Sequence, residues 1–288
     1  MAASATVPVL PFTRAVYVAG VCLTAGTGVG LFAVPDRTED YWAWTIKAPL
    51  TAAFFGAGYI GAALSLALAA RTREWERTRV VAVAALTLTT LALVATLRDI
   101  GSFAFGDGGL TEAVAWIWLA VYVSLPPLVL AVFVLQERAG RSHDDGRVVP
   151  ALVGTRVAVG GAGAVLAVVG ILLFVGWHRL LAHWAWPLPP LPATVTGGWL
   201  CTYAAAFLWF AMFERDWSRV RIGIAPAALS IVLDFVAAWR FSDDFGGRHE
   251  TAAYLGGLTG LLLVLAAAAW VEERRLRVAV TSPAPVAP

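Results

Sequence analysis

Long apolar stretches alternate with short polar ones along the whole chain. Eight apolar stretches, at 15–34, 49–70, 80–97, 113–135, 157–176, 193–213, 222–239 and 252–271, are long enough to cross a bilayer's hydrocarbon core. That crossing takes about 20 helical residues at roughly 1.5 Å each. The polar segments between them are too short to hold a soluble domain. The pattern therefore predicts an all-α polytopic membrane protein with eight transmembrane helices.

The punctuation between the stretches recurs at an offset of 142. Phe32 matches Phe174, Trp42-Ala43-Trp44 matches Trp184-Ala185-Trp186, and Gly56 matches Gly198. Arg73, Trp75, Arg77 and Arg79 fall on Arg215, Trp217, Arg219 and Arg221, and Arg98 falls on Arg240. A tandem duplication explains agreement that runs through helices and loops alike. It divides the chain into two four-helix repeats, 1–137 and 157–275, with a cytoplasmic linker at 138–156 and a disordered tail at 276–288. An even number of spans gives both repeats the same orientation, so they are parallel. Their pseudo-twofold axis runs along the membrane normal, which excludes inverted repeats.

Composition agrees: 59% of residues are hydrophobic and 14% charged, outside the range of soluble domains. Of 21 Lys and Arg residues, 15 lie at the termini and in the loops after the second, fourth and sixth spans. The positive-inside bias then puts both termini in the cytoplasm, as in a bacterial inner membrane. The net charge of +2 follows from that bias and indicates no nucleic-acid partner. The first span has no small-residue cleavage site and reads as a retained helix. Cys22 and Cys201 sit within spans as apolar fillers. His178, His183, His249 and the linker's His143 lack the convergence a metal site needs. No cofactor motif is present, neither a P-loop nor a dinucleotide fingerprint.

Several features read as scaffold. Gly26 with Gly30, Gly256 with Gly260, and the cluster Gly160, Gly161, Gly163 and Gly170 have the spacing of close helix contacts. Pro126-Pro127 and Pro226 should kink the fourth and seventh spans. Trp42, Trp44, Trp184 and Trp186 suit interfacial or re-entrant caps on one side, with Trp75 and Trp217 as matching belts on the other.

Polar residues unmatched between the copies are candidates for specialisation. Asp234 lies well inside the seventh span, opposite Ala92 by offset. A carboxyl group at that depth faces the bundle interior or a wet cavity, and burial favours its protonated form. Ser230, one turn earlier, is its expected hydrogen-bond partner. Asp99, Glu112, Asp243 and Asp244 have no acidic counterparts, and with Asp234 they suggest an acidic vestibule on the outer side. Asp234, Asp99 and Glu112 are the candidate catalytic acids. Trp116, Trp118, Phe235 and Trp239 are candidate substrate contacts whose ring faces suit carbocations. The matched Arg98 and Arg240 either anchor the outer ends of their helices or clamp an anionic ligand.

In general layout, a small polytopic chain with an acid and tryptophans inside its helices, the protein resembles the integral-membrane terpene cyclases of meroterpenoid pathways. The resemblance implies an enzyme acting on a lipophilic, isoprenoid-like substrate. Asp234 would be the general acid that starts cyclisation, and no cofactor would be required. Two other functions fit the sequence: a facilitator for a small solute or anion, and an assembly subunit of a membrane complex. The expected partners are membrane lipids and the lipophilic substrate, with monomer and homodimer both open.

Overall fold

The computed structural model describes residues 7–140, 150–214 and 216–281. The linker motif Ser142–Gly146 with its His143, the expected partner Arg215, and the tail from residue 282 lie outside the described residues. Eight helices are long and apolar enough to cross a membrane, and no strand occurs among the described residues. They are α1 (Pro11–Ala33), α2 (Pro49–Arg71), α3 (Trp75–Arg98), α4 (Gly109–Arg138), α5 (Val153–Phe174), α6 (Pro190–Met212), α7 (Ile224–Arg240) and α8 (Arg248–Thr281). Helix α8 extends through residues 276–281, which the sequence reading had assigned to the tail.

Local chemistry sets the helix ends. Helices α1, α2 and α6 each begin at a proline. Its fixed φ suits the first helical position, where the missing N–H would be unpaired in any case. Pro226 is the third residue of α7, in a first turn that needs no N–H donor, and a 3-10 turn at Arg221–Gly223 separates α7 from the short helical turn Trp217–Val220 before it. Helix α4 runs on through Pro126 and Pro127. The C-terminus of α1 is closed by the Tyr41 hydroxyl, which donates to the Gly30 and Val34 carbonyls at 3.1 and 2.9 Å.

The helices neighbour one another in the order α1, α2, α7, α8, α5, α6, α3, α4. The closest pairs, α1 with α2 and α5 with α6, lie within the expected units 1–137 and 157–275, and α3 on α6 and α7 on α2 join one unit to the other. Helices α2 and α6 are the most buried and meet where a Cβ on Gly58 would lie 3.0 Å from the Trp199 ring. The closest backbone approaches use other glycines than the G-x-x-x-G pairs. A Cβ on Gly56 would lie 2.6 Å from Phe32 N, and one on Gly170 would lie 2.9 Å from Cys201 N. Nothing lies within 4 Å of such a Cβ at Gly26, Gly256 or Gly260. Spacing along a helix reveals small residues but not which face meets a neighbour.

Both ends of the bundle are tied by buried polar groups. At the arginine-rich end, Trp75 and Trp217 are 0% and 1% exposed, so they are plugs and form no lipid-facing belt. Glu137 accepts from Trp75 Nε1 and Arg79 Nε at 2.8 and 2.7 Å. Glu273 accepts from Trp217 Nε1 and Arg221 Nη1 at 3.1 and 3.2 Å. At the other end Trp42, Trp44 and Trp186 are also buried. Trp44 stacks edge-on against Trp118, and Trp186 against Tyr254, both with ring centroids 5.0 Å apart.

Candidate functional site

A cavity of about 250 Å³ opens beside α2, lined by α1, α2, α3, α4 and α6 and the first two turns of α7. Sequence creates it. Gly58, Gly61, Ala62 and Ser65 share one face of α2 at i, i+3, i+4 and i+7, and their small side chains leave the space unfilled. No charged side chain lines the cavity. Most hydroxyls in its wall are already engaged: Thr24, Thr89 and Thr202 donate to carbonyls four residues back at 2.7–2.8 Å, and Tyr17 donates to Thr78 at 3.3 Å.

Tyr59 of α2 and Tyr122 of α4 are the exception. Their hydroxyls lie 2.5 Å apart within the buried wall. The Tyr59 ring stands edge-on to Trp199 at 4.9 Å, and the Tyr122 ring lies 4.3 Å from Trp118. Trp118 Nε1 donates to Thr96 Oγ1 at 2.9 Å. The indole N–H groups of Trp42 and Trp199, whose rings also line the cavity, are buried without a hydrogen-bond partner.

Asp234 is buried, 6% exposed, and its Oδ1 has no hydrogen-bond partner. It is not part of the cavity wall, although Ser230 one turn earlier and Tyr203 are. The Ser230 hydroxyl reaches the Ala57 and Pro226 carbonyls at 3.2 Å. The expected bond from Ser230 to Asp234 is thus replaced by bonds elsewhere. The Tyr254 hydroxyl is likewise buried without a partner.

The other candidate residues are dispersed. Glu112 accepts from Gly108 N at 3.0 Å, capping its own helix. Asp99 faces Arg98 at 3.8 Å, and Asp244 caps α2 by accepting from Leu50 N at 2.7 Å. Free N–H groups at helix starts and an adjacent guanidinium engage these acids, so they do not gather around Asp234 as a vestibule. Trp116 and Trp239 are 54% and 81% exposed on the lipid-facing surface, and Phe235 packs into the apolar cluster around Phe207 and Leu265. Of the aromatic candidates only Trp118 lines the cavity.

Arg98 Nη1 donates to Phe174 O, the last carbonyl of α5, at 2.7 Å. Arg240 Nη1 donates to Phe32 O near the end of α1 at 2.8 Å, and its guanidinium lies 4.9 Å from the Phe241 ring centroid. Both arginines therefore close helix C-termini, where unpaired carbonyls and the helix dipole favour a cation. Among the described residues no three His, Cys, Asp or Glu side chains are grouped to hold a metal ion.

Sequence reading passed over Tyr59, Tyr122, Tyr203 and Trp199. The signal was present: five of six tyrosines fall within spans, where a hydroxyl demands a partner. Attention to carboxylates and unmatched acids obscured it. Comparison with protein families, with curated proteins and with solved structures finds no match to this chain.

Proposed function

We propose that the protein binds a lipophilic molecule within the membrane, in the cavity beside α2. One observation carries the reading: a chain whose helices otherwise pack at glycine-to-backbone contact keeps an apolar space lined by five helices and part of a sixth. Pockets that hold small molecules have this character, mostly apolar with a few fixed polar groups. The absence of charge from the wall argues against an anion facilitator, as does the engagement of Arg98 and Arg240 with helix carbonyls. The test is extraction of the purified protein with organic solvent followed by mass spectrometry. A lipophile retained by the wild type and lost from Ala62→Trp, which fills the cavity, is expected. Equal lipid content in both refutes the reading.

A second reading adds catalysis. Tyr203 and Ser230 belong to the cavity wall, and Ser230 stands one helical turn before Asp234. A protonated Asp234 would act as the proton source behind them, starting cyclisation of an isoprenoid-like substrate by protonating an alkene. The ring faces of Trp118 and Trp199 would stabilise the cation until a proton is lost again. Loss of turnover in Asp234→Asn with substrate still bound is the expected result; unchanged turnover excludes it.

The same reading includes a duplicated bundle with its pseudo-twofold along the membrane normal and the arginine-rich end, with both termini, in the cytoplasm. Reciprocal contacts support it. Arg98 bonds to Phe174 O and Arg240 to Phe32 O, so each contact is the other displaced by 142 and reversed, as a twofold relation requires. Ala104 N bonds to Ala43 O and Gly246 N to Ala185 O, both at 2.9 Å. Along α2 and α6 the correspondence runs at 141, since α2 begins at Pro49 and α6 at Pro190. Gly58, Ala62 and Leu66 then stand opposite the bulkier Trp199, Tyr203 and Phe207. Small residues on α2 open the cavity, and the corresponding positions of α6 carry large side chains.

A further inference from the structure

Hydrogen-bond accounting in the cavity points to the chemistry of its occupant, given the reading of the cavity as a lipophile site. The Tyr59 and Tyr122 hydroxyls carry two hydrogens; one is spent in the bond between them. The second has no acceptor among the described residues, and neither have the N–H groups of Trp42 and Trp199 in the same wall. Leaving a buried donor unbonded is costly. The wall therefore holds buried donors that no acceptor among the described residues reaches.

Depth narrows the class further. Tyr59 lies ten residues after Pro49 and twelve before Arg71, about 15 and 18 Å from the ends of α2 at 1.5 Å per residue. That is the middle of a hydrocarbon core roughly 30 Å thick. A charged headgroup there would find no counter-charge, since no charged side chain lines the cavity; a plain hydrocarbon would leave the donors unbonded. A carbonyl oxygen, an acceptor that donates nothing, satisfies both conditions.

The surface shows where such a molecule would pass. Leu23 of α1 and Ile117 of α4 line the cavity and are also 44% and 59% exposed on the outer face of the bundle. Helices α1 and α4 touch only slightly, less than α5 and α8 at the corresponding seam. The cavity thus reaches the lipid between α1 and α4.

We propose that this cavity takes from the bilayer, through the α1–α4 seam, an uncharged isoprenoid-like carbonyl compound (a ketone or quinone) whose oxygen accepts the free hydroxyl hydrogen of the Tyr59–Tyr122 pair. The test uses the full chain in nanodiscs and three probes that share one prenyl chain: farnesylacetone, the hydrocarbon farnesene and the anion farnesoate. Displacement of radiolabelled farnesylacetone reads equilibrium binding. The expected results are tightest binding of the ketone, a loss of about 2- to 10-fold for the ketone in the double variant Tyr59→Phe/Tyr122→Phe, and no change for farnesene. Farnesene binding also reports that the double variant is folded, and Tyr59→Phe alone, which keeps one free hydroxyl hydrogen, should bind the ketone like the wild type. Ile117→Trp should slow ketone association several-fold.

Equal ketone affinity in the wild type and the double variant, or farnesoate binding as well as the ketone, overturns the carbonyl proposal while leaving the cavity a lipophile site. Unaltered association in Ile117→Trp overturns the seam as the route. Failure of all three probes to bind the wild type, together with unchanged lipid content in Ala62→Trp, removes the lipophile reading itself.

Discussion

Replacing Arg240 by alanine distinguishes a helix latch from an anion clamp. The guanidinium bonds to Phe32 O at 2.8 Å, reaches Ala33 O at 3.4 Å and lies 4.9 Å from the Phe241 ring. A hydrogen bond from a charged group contributes about 1.5–3 kcal/mol, and an exposed cation–π contact about 0.5–1 kcal/mol. The 3.4 Å contact adds little, and solvent at the exposed site screens the remainder, leaving roughly 1–2 kcal/mol. At about 2–4 °C per kcal/mol for a chain near this size, Arg240→Ala should lower Tm by about 2–8 °C. Arg98 makes one carbonyl bond, at 2.7 Å, and faces Asp99 at 3.8 Å, so Arg98→Ala should lower Tm as well. Arg240→Lys should fall between, because an ammonium cannot span both carbonyls as the planar fork does. Thermal melting in detergent, followed by tryptophan fluorescence, measures all three. An unchanged Tm in Arg240→Ala refutes the latch.

Other substitutions probe different levels of the structure. Glu272 is 1% exposed and accepts from Leu152 N at 2.8 Å, the task Gln136 performs for Leu10 N at 2.7 Å; Glu272→Gln should leave Tm nearly unchanged, while Glu272→Leu orphans the N–H and should cost about 1–3 kcal/mol in a chemical melt. Gly56→Leu places a side chain against Phe32 N, where a Cβ alone would lie at 2.6 Å, and should abolish recovery of monodisperse protein, whereas Gly26→Leu, which faces open space, should not. Asp234 has a buried oxygen without a partner, so Asp234→Leu should raise Tm by removing that desolvation cost while impairing any turnover; a lowered Tm would mark the carboxyl as structural.

The eight helices were legible because bilayer thickness imposes a length and an apolar composition that no packing detail can override. Contacts between helices were not. Gly26 and Gly28 look alike in one dimension, yet only Gly28 brings backbones together, a Cβ there lying 2.8 Å from Ile60 N while one on Gly26 meets open space, because helix rotation is set by neighbours far away in sequence. Trp75 illustrates the same limit. Flanked by charges, it reads as an interfacial belt, but Glu137, 62 residues onward, accepts its N–H and draws the ring inside. Arg98 and Arg240 read equally as anchors or as an anion clamp, and their partners Phe174 O and Phe32 O are backbone atoms that leave no trace in residue identity.

Asp234 and the cavity make the last step of the argument. A buried acid is the loudest polar signal an apolar helix can carry, and it drew the functional reading to the second half of the chain. Space, by contrast, is written as the absence of side-chain volume: Gly58, Gly61, Ala62 and Ser65 read as ordinary helix-packing residues until Trp199 and Tyr203 are found across from them. The wall they open is polar only at Tyr59, Tyr122 and a few hydroxyls and indoles. Those groups are chemically quiet in a sequence, because tyrosine and tryptophan inside a span are normally satisfied by a neighbour. What identifies them as candidates is a count of hydrogens without acceptors, and that count exists only once the helices are assembled. Asp234 then becomes a group behind the wall, one helical turn from Ser230 and outside the cavity lining. Under the catalytic proposal its proton reaches the cavity by way of the Tyr203 and Ser230 hydroxyls, and Tyr203→Phe is the variant that separates a relay from a bystander. Loss of turnover with the lipophile still bound supports the relay, and full turnover leaves Asp234 outside the reaction.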